Sequence, residues 1–174
     1  LSYQLQTAGQ SAVLVDETYL ANKRQLEKFI GRAKTEANFD WTNKKVAVLG
    51  LSFKRDTNDI RNSPSLDIVN FLLEKTVGQI NLFDPAAQEN FKKIFPESNQ
   101  IKYFSNESDT IQEVDAIIIA TDWPQFEELS SKLLNLSSRP LIMDGRRMLE
   151  HSVRALQTNN FDIIMVGSPF LKRK

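Results

Sequence analysis

Two cationic groups follow apolar runs of the sequence and could bind an anionic ligand. Lys54 comes shortly after residues 46–49 and Gly50, and Arg146 with Arg147 follows the run "LIMDG". If both runs are parallel strands, their carboxyl ends share one edge of the sheet, where ligands of open α/β sheets bind. An ammonium meets a phosphate as a point charge, and a guanidinium can contact two phosphate oxygens. The pattern predicts a clamp for a diphosphate.

The same cations also have a structural interpretation. Lys54 can be a solvated surface lysine. The arginines can form an ion pair with Asp144 or Glu150. These alternatives stay open at the level of the sequence.

The first apolar run does not continue into the glycine-rich turn that dinucleotides require. The G-x-G-x-x-G fingerprint lets the backbone approach a pyrophosphate, but here Gly50 is followed by the bulky Leu51 and Phe53. Asp84 in "NLFDP" is placed where an acidic residue could contact a ribose. Without the glycines, we predict that this domain does not bind NAD. If the chain belongs to an oxidoreductase, its cofactor domain lies elsewhere.

Strand and helix patterns alternate after residue 45, which predicts an α/β fold with a doubly wound, Rossmann-like parallel sheet of about six strands. Several strands are continuous apolar runs, typical of parallel strands buried on both faces. The predicted strands are residues 45–50, 79–83, 101–104, 116–120, 141–144 and 163–166, and the predicted helices are residues 64–75, 86–94, 108–114, 124–135 and 148–158.

The connection between the first strand and its helix is about a dozen residues long, whereas such loops usually need two to six. Extra length at this place is typical of a binding loop. Ser63 and Pro64 have the pattern of a helix N-cap and first turn. Arg61 is placed to form an ion pair with Asp56 or Asp59 within the loop.

Residues 11–34 have the spacing of one long amphipathic helix that precedes the sheet. Its apolar stripe runs from Val15 through Tyr19 to Ala33 and includes the polar Asn22. The stripe must be buried, either against its own domain or against another domain or subunit. Asn22 could be a buried polar specifier or a partner for another part of the site.

Composition limits the classes of function. With 22 Lys and Arg against 22 Asp and Glu, the formal net charge is zero, so no global field attracts nucleic acid or a membrane surface. No cysteine is present and His151 is the one histidine, so we expect no metal site and no thiol chemistry in this chain. No apolar run reaches the length of a membrane span, and a cytoplasmic protein is the default expectation. The chain begins at Leu1, which we interpret as a fragment of a longer protein.

The strings "VAVLGLSFKRDTNDIRNSPSLDIVNFLLE", "NLFDP", "VDAIIIATDWPQF" and "IMDGRR" together resemble the C-terminal domain of the UDP-glucose/GDP-mannose dehydrogenase family. The resemblance covers residues 46 to about 167, and the loop string is its most specific part. The segment "ETYLANKRQLEKF" resembles the end of the central dimerisation helix of the family. By this resemblance, residues 1–38 are the end of that helix with a linker, and residues 39–174 are the nucleotide-sugar-binding domain.

The resemblance implies a function for the parent protein. Enzymes of the family use NAD, held by an N-terminal domain, to oxidise the C6 hydroxyl of a nucleotide sugar to a carboxylate through a cysteine thioester. This chain would then be the part that binds the nucleotide sugar, as half of a homodimer, with no catalytic residue of its own. UDP-glucose or a related UDP-sugar is the expected ligand, although the residues do not distinguish UDP from GDP. A non-catalytic nucleotide-binding module and a dimerisation module are the alternatives.

Carried over by the resemblance, Phe53 and Lys54 match the "FK" pair at the nucleotide sugar, and Arg146 matches the arginine of "DGR". Arg147 is a further possible contact. Asp59, Arg61 and Ser63 match loop positions for which an architectural role is expected. Arg55 departs from the family pattern, because relatives usually have a proline there.

Overall fold

The computed structural model describes Thr7, Gly9 and residues 11–174, in which six strands form one parallel sheet between two layers of helices. The strands are β1 (Lys45–Leu49), β2 (Gln79–Phe83), β3 (Ile101–Tyr103), β4 (Ala116–Ile119), β5 (Leu141–Asp144) and β6 (Ile163–Met165). The helices are α1 (Val13–Thr35), α2 (Pro64–Glu74), α3 (Gln88–Lys92), α4 (Glu107–Thr110), α5 (Leu129–Leu134) and α6 (Val153–Thr158). The strand order β3-β2-β1-β4-β5-β6 is that of doubly wound Rossmann-like folds. The predicted fold class is confirmed.

The sheet is buried on both faces because its strands alternate between two cores. Val46 and Val48 belong to the core under α1 and α2, whereas Ala47 and Leu49 belong to the core under α5 and α6. All four side chains are fully buried. Successive strands are added on one side of β1 as far as β3 and on its other side from β4 onwards. Strands β1 and β4 pair with each other at the centre of the sheet. Their carboxyl ends are therefore the topological switch point at which ligands of such folds bind.

Helix α1 divides into a buried half and an exposed half. Phe29, Ile30 and Ala33 lie in the same core as the sheet, so the carboxyl-terminal part of α1 packs on its own domain. Near its start, Val13 and Leu20 are 63% and 43% exposed. Of the predicted segment 1–38, residues 1–6, 8 and 10 lie outside the described residues.

Arg32 attaches α1 to the last strand. Its guanidinium donates hydrogen bonds to the carbonyl oxygens of Met165 (2.8 Å) and Ser168 (2.9 Å), and it pairs with Glu36 along the helix. These contacts hold α1 beside the carboxyl end of β6. One wall of the cleft described below is fixed in this way.

The predicted elements are all present, and the differences lie at their ends. The helix expected at 108–114 is α4, which begins earlier because the Asn106 side chain accepts the Asp109 N–H (2.8 Å) and ends before Glu113, whose φ is +52°. The helix expected at 124–135 begins as a 3₁₀ turn, Pro124–Glu128, and a shorter one, Glu150–Ser152, precedes α6. None of the described helices is long and apolar enough to cross a membrane.

Candidate functional site

The turn after β1 is held tightly against the end of β4. Gly50 has φ +89°, and a Cβ built on it would lie 2.5 Å from the Cβ of Thr121. The Thr121 hydroxyl donates to the carbonyl oxygen of Ser52 (2.7 Å). A side chain at position 50 would meet both backbone strain and a steric clash, so the glycine is required here for the course of the chain.

Asp84 directly follows β2 and accepts hydrogen bonds from the turns after β1, β2 and β4. Its Oδ2 accepts the N–H groups of Leu51 (2.6 Å) and Ser52 (3.0 Å), the Ser52 hydroxyl and the indole N–H of Trp123 (3.0 Å). Its Oδ1 accepts the N–H groups that follow, at residues 86 and 87. The side chain is buried. The ribose contact considered for Asp84 is wrong, because both oxygens are used inside the protein.

The residues of this turn do not fit a dinucleotide. In a G-x-G-x-x-G turn, backbone N–H groups point at the pyrophosphate of the cofactor. Here the N–H groups of Leu51 and Ser52 donate to Asp84 instead. The Leu51 side chain is also fully buried. These N–H groups therefore have no hydrogen available for the pyrophosphate of NAD.

The long loop closes on itself at its base. The Phe53 N–H donates to the Asp59 carbonyl oxygen (2.8 Å), and Asp59 accepts from the backbone (2.9 Å) and guanidinium (Nη2, 2.7 Å) of Arg61. These hydrogen bonds from Arg61 lower the pKa of the Asp59 carboxyl from 3.8 to about 2. Asp56 and Asn62 have left-handed φ values of +59° and +58°, which Asp and Asn adopt more readily than most residues. Hydrogen bonds within the loop and two left-handed residues thus define its conformation.

Helix α2 begins at the far end of the loop and is connected to its base. Ser63 caps the helix by accepting the Ser65 N–H (3.3 Å), and its hydroxyl donates to the Ser52 carbonyl oxygen (3.3 Å). The Ser65 hydroxyl donates to the Gly50 carbonyl oxygen (2.6 Å). Both ends of the loop are therefore fixed to the same short backbone segment.

The turn after β5 presents Arg146 to the same edge of the sheet. Asp144 is buried and accepts the N–H groups of Arg146 (2.9 Å) and Leu149 (2.8 Å). The Arg146 Nε donates to the carbonyl oxygen of Ala120 (2.7 Å), at the end of β4. The Arg146 side chain is thus anchored on one side of its guanidinium. The other nitrogens of that group have no hydrogen bond to the described residues.

Gly145 is required in this turn by space rather than by its backbone conformation. The left-handed residue is Arg147, with φ +59°. Gly145 is required by space, since a Cβ there would lie 2.9 Å from the Ile119 carbonyl oxygen. The tight approach of two strand ends, rather than unusual dihedral angles, explains the glycine.

Arg147 has partners different from those of Arg146. Its guanidinium pairs with Glu150 and donates to the carbonyl oxygen of Val166 (3.0 Å). Hydrogen bonding to Glu150 raises the pKa of Arg147, and the same contact lowers the pKa of Glu150. The structure therefore contains the ion pair that the sequence offered as one alternative.

A cleft of about 370 Å³ lies at the carboxyl ends of β4, β5 and β6, between α1 and the start of α2. Phe53 and Arg146 line it, together with Ser63. Lys54 is exposed beside Phe53 and is not among the lining residues. The other lining residues are Tyr19, Asn22, Lys23, Gln25, Leu26, Phe29, Asn62, Pro64, Leu66, Asp67, Ile68, Ile119, Ala120, Gly145 and Val166.

The walls of the cleft are mixed in chemistry. Tyr19 and Phe53 are about half exposed, which leaves aromatic surface available to a ligand. Lys23 of α1 and Asp67 of α2 stand on either side. Hydrogen bonding to Tyr19, with a smaller effect of the Asp67 charge, raises the pKa of Lys23. A cleft with aromatic surface, amide groups and an anchored guanidinium suits a phosphorylated ligand with an aromatic part.

Several residues of the site were missed or misread from the sequence. The hydrogen bond from the Trp123 indole N–H to Asp84 was not predicted. A hydrogen bond of this kind could have been expected from the sequence, because a buried indole N–H needs a partner. Asn22 is exposed in this chain and lines the cleft wall. In the described part of the chain, no group of three or more His, Cys, Asp or Glu side chains could hold a metal ion.

Comparison with known proteins gives one consistent result. Residues 47–151 match the "UDP-glucose/GDP-mannose dehydrogenase family, UDP binding domain". The UDP-glucose 6-dehydrogenase of Rickettsia prowazekii is 34% identical over 149 residues, which is 85% of this chain and 33% of that protein. The chain thus spans about a third of the length of the curated relatives it matches.

Solved structures are similar over the same region. A UDP-D-ManNAc dehydrogenase from Pyrococcus horikoshii is 27% identical with a TM-score of 0.62, covering 83% of this chain and 32% of its own. A UDP-glucose dehydrogenase from Pyrobaculum islandicum has a TM-score of 0.65 at 22% identity, covering 81% of this chain and 30% of its own. The latter likeness supports the fold alone.

Proposed function

The chain belongs to the UDP-glucose/GDP-mannose dehydrogenase family and carries its UDP-binding domain, and from this premise we propose that it is the nucleotide-sugar-binding C-terminal portion of an NAD-dependent UDP-sugar 6-dehydrogenase. UDP-glucose, or a related UDP-sugar oxidised to its uronic acid, is the proposed substrate of the whole protein. Residues 39–174 are proposed as the binding domain, and residues 1–38 as the preceding helix with its linker.

One observation carries the proposal: Phe53 and Arg146, which lie 93 positions apart in the numbering, line one cleft at the switch-point edge of the sheet. Arg146 is the cation of that cleft whose guanidinium is anchored to the end of a strand, by the Ala120 carbonyl oxygen. A guanidinium anchored through Nε can direct its remaining N–H groups at phosphate oxygens. In the proposal it binds the diphosphate, and Phe53 supplies apolar contact.

Lys54 has a second role in this proposal. Its ammonium is exposed at the rim, so it attracts the diphosphate through charge and contacts it once the ligand is seated. Arg147 is a weaker candidate for such a contact, because Glu150 already neutralises much of its charge. Asp59, Arg61 and Ser63 act on the ligand only by shaping the loop.

The chemistry of the parent enzyme would come from outside this chain. The N-terminal domain of such an enzyme would hold NAD as the hydride acceptor, and a cysteine of its central domain would form the thioester. The residues described above bind and orient the nucleotide sugar. We propose a cytoplasmic homodimer that associates through α1, with neither nucleic acid nor membrane as a partner.

A dimerisation module is the second candidate function. The observation that favours it is the apolar surface near the start of α1, where Val13 and Leu14 are 63% and 85% exposed. Such side chains on one helix are typical of an interface. The two functions are compatible, and they differ in whether the cleft binds a ligand.

The test is an NMR titration of this chain with UDP-glucose, GDP-mannose and NAD. We expect amide shifts at Phe53, Lys54 and Arg146 with UDP-glucose and smaller shifts with GDP-mannose. NAD should leave these amides unchanged. Absence of shifts with both nucleotide sugars would contradict binding by this chain and favour the dimerisation module.

A further inference from the structure

Asp84 is a buried carboxylate whose hydrogen-bond partners are all neutral. It is 1% exposed, and in the described part of the chain it forms no ion pair. Burial of a charged group is unfavourable unless hydrogen bonds replace its hydration. Six donors do so here: five from β1 and β2 turn residues and one from Trp123.

The carboxylate lies at the end of the second strand, as in dinucleotide-binding folds, but its Oδ2 binds the turn after β1. Consecutive N–H groups at Leu51 and Ser52 converge on Asp84 Oδ2 at 2.6 and 3.0 Å. Converging backbone N–H groups of this kind form a concave site for an anion. In dinucleotide-binding folds, the turn after the first strand meets the pyrophosphate of the ligand. Here an anion from the protein itself takes that place.

The segment that Asp84 fixes leads directly into the proposed ligand contacts. Ser52 precedes Phe53 and Lys54, and its carbonyl oxygen accepts hydrogen bonds from Thr121 (2.7 Å) and Ser63 (3.3 Å). Any movement of residues 51 and 52 would therefore move both the start of the loop and the cap of α2. Beyond this segment, residues 53–56 of the loop are exposed.

We propose that Asp84 is a positioning residue for nucleotide-sugar binding: an internal anion that fills the amide site after β1 and thereby holds Phe53 and Lys54 in place. The inference rests on the proposed function of the cleft. It differs from a general contribution to stability, because it requires negative charge at this one position.

Chemical rescue separates the two roles. Asp84→Ala removes the carboxylate and leaves room for formate, which has the same charged group. We expect UDP-glucose to bind about tenfold more weakly to this variant, the effect of losing one to two hydrogen bonds of ordinary strength. Formate should restore most of that affinity. Formamide, of similar shape but uncharged, and an equal concentration of sodium chloride should not.

A second readout follows the loop directly. In Asp84→Ala, the amides of Leu51, Ser52 and Phe53 should exchange with solvent faster than in the natural chain, and formate should slow them again. Unchanged affinity and exchange in the variant would overturn the proposal. Loss of affinity that formate and formamide restore equally, or that neither restores, would also overturn it, since charge would then be irrelevant.

Trp123→Phe provides the test if Asp84→Ala does not fold. This variant keeps the aromatic ring and removes the one side-chain N–H that binds Asp84 from β4. We expect about two- to fivefold weaker binding of UDP-glucose and faster exchange at residues 51–53. Exchange and affinity equal to those of the natural chain would contradict the proposal. If the natural chain binds no nucleotide sugar, the proposed function fails, and the exchange measurements still decide whether Asp84 holds the loop.

Discussion

At the scale of single residues, Arg146 and Arg147 are neighbours with different surroundings. Arg146 is anchored by one nitrogen to the Ala120 carbonyl oxygen beside the cleft. Arg147 is paired with Glu150 and bound to the Val166 carbonyl oxygen. A charge already neutralised by a partner has less to offer an incoming phosphate, so the two arginines are expected to differ in their effect on binding.

The first prediction concerns these cations and Lys54. Arg146→Ala and Lys54→Ala should each weaken UDP-sugar binding by about 1–3 kcal/mol, the range for a lost charge-assisted hydrogen bond. Arg147→Ala should weaken it by less than about 1 kcal/mol. Isothermal titration calorimetry measures the affinities, and thermal unfolding should show little loss of stability in the first two variants.

Arg154→Ala is the control for general loss of positive charge, because this exposed arginine lies on α6 and does not line the cleft. It should bind like the natural chain. Equal affinity of the Arg146 variant and this control would remove Arg146 from the site.

The Asp59 and Arg61 pair gives the loop a predicted response to pH. Hydrogen bonding to Arg61 places the pKa of Asp59 at about 2, below its usual 3.8. Because the folded value is the lower one, the pair stabilises the loop above pH 3.8, and this contribution is lost as the pH falls towards about 2. Above pH 5 the loop should therefore be insensitive to pH.

A carbon-13 NMR titration of the Asp59 carboxyl measures this directly. Arg61→Gln should move its midpoint up towards 3.8. Arg55→Gln should leave it in place, because the contact of Arg55 is with Asp56 instead (4.0 Å). A midpoint that is the same in all three proteins would refute the effect of Arg61.

The limits of sequence reasoning are clearest at Asp84 and Trp123. The position of Asp84 after a strand was visible in the sequence, and an acidic residue there favoured a ribose contact. The partners of its Oδ2 lie in the turns after β1 and β4. The strand order β2-β1-β4 brings these turns beside Asp84. The spacing of residues along the sequence does not reveal the order of the strands in the sheet. A buried polar network is therefore harder to predict than the residues at a strand end.

At the scale of elements, Gly50 is the junction on which the loop depends. Its φ of +89° disfavours a side chain, and a Cβ at this position would lie only 2.5 Å from the Cβ of Thr121. The carbonyl oxygen of Gly50 also accepts the Ser65 hydroxyl of α2. Strand β1, helix α2 and the end of β4 thus meet at this position.

Gly50→Ala should lower the free energy of unfolding by about 2–5 kcal/mol, through backbone strain and overpacking together. Gly31→Ala is the matched control, because Gly31 lies within α1 and a Cβ there meets nothing within 4 Å. That control should raise stability by about 0.5–1 kcal/mol, the preference for alanine in a helix. Urea unfolding measures both, and equal effects would show that the contact with Thr121 is easily relieved.

The elements themselves were largely predictable, whereas their ends were not. The alternation of strand and helix patterns identified all six strands, and several of them are continuous apolar runs because strands of a parallel sheet are buried on both faces. The ends depend on local caps such as Asn106 and on left-handed residues such as Glu113, neither of which changes the hydrophobic pattern. Of the cleft, the part at the carboxyl ends of the strands was predictable from the sequence. Its α1 wall depends on how a helix packs across the sheet.

At the scale of the whole molecule, α1 has one side that packs on the domain and another that carries exposed apolar side chains. Phe29 faces the core and also lines the cleft. Leu20 is nine residues earlier, which at 3.6 residues per turn places it on the opposite side of the helix. Val13, seven residues before Leu20, shares that side. Val13 and Leu20 therefore face away from the domain that α1 packs on.

A second copy of this chain is the proposed partner for that surface, and Leu20→Glu tests it. A leucine buried at an interface contributes about 1.5–3 kcal/mol, so replacing it by a charged residue should weaken dimerisation at least about tenfold. Sedimentation velocity over a range of concentrations measures the change. Lys34→Glu, an exposed charge reversal near the other end of α1, should leave the dimer intact.

The same experiment separates assembly from ligand binding. Leu20 is not among the residues that line the cleft, so Leu20→Glu should bind UDP-glucose as the natural chain does. If it loses the dimer and the ligand together, the cleft is complete only in the dimer. If the natural chain is a monomer at every concentration, the start of α1 is instead covered by another domain of the parent protein, and the helix acts as the link between the two domains.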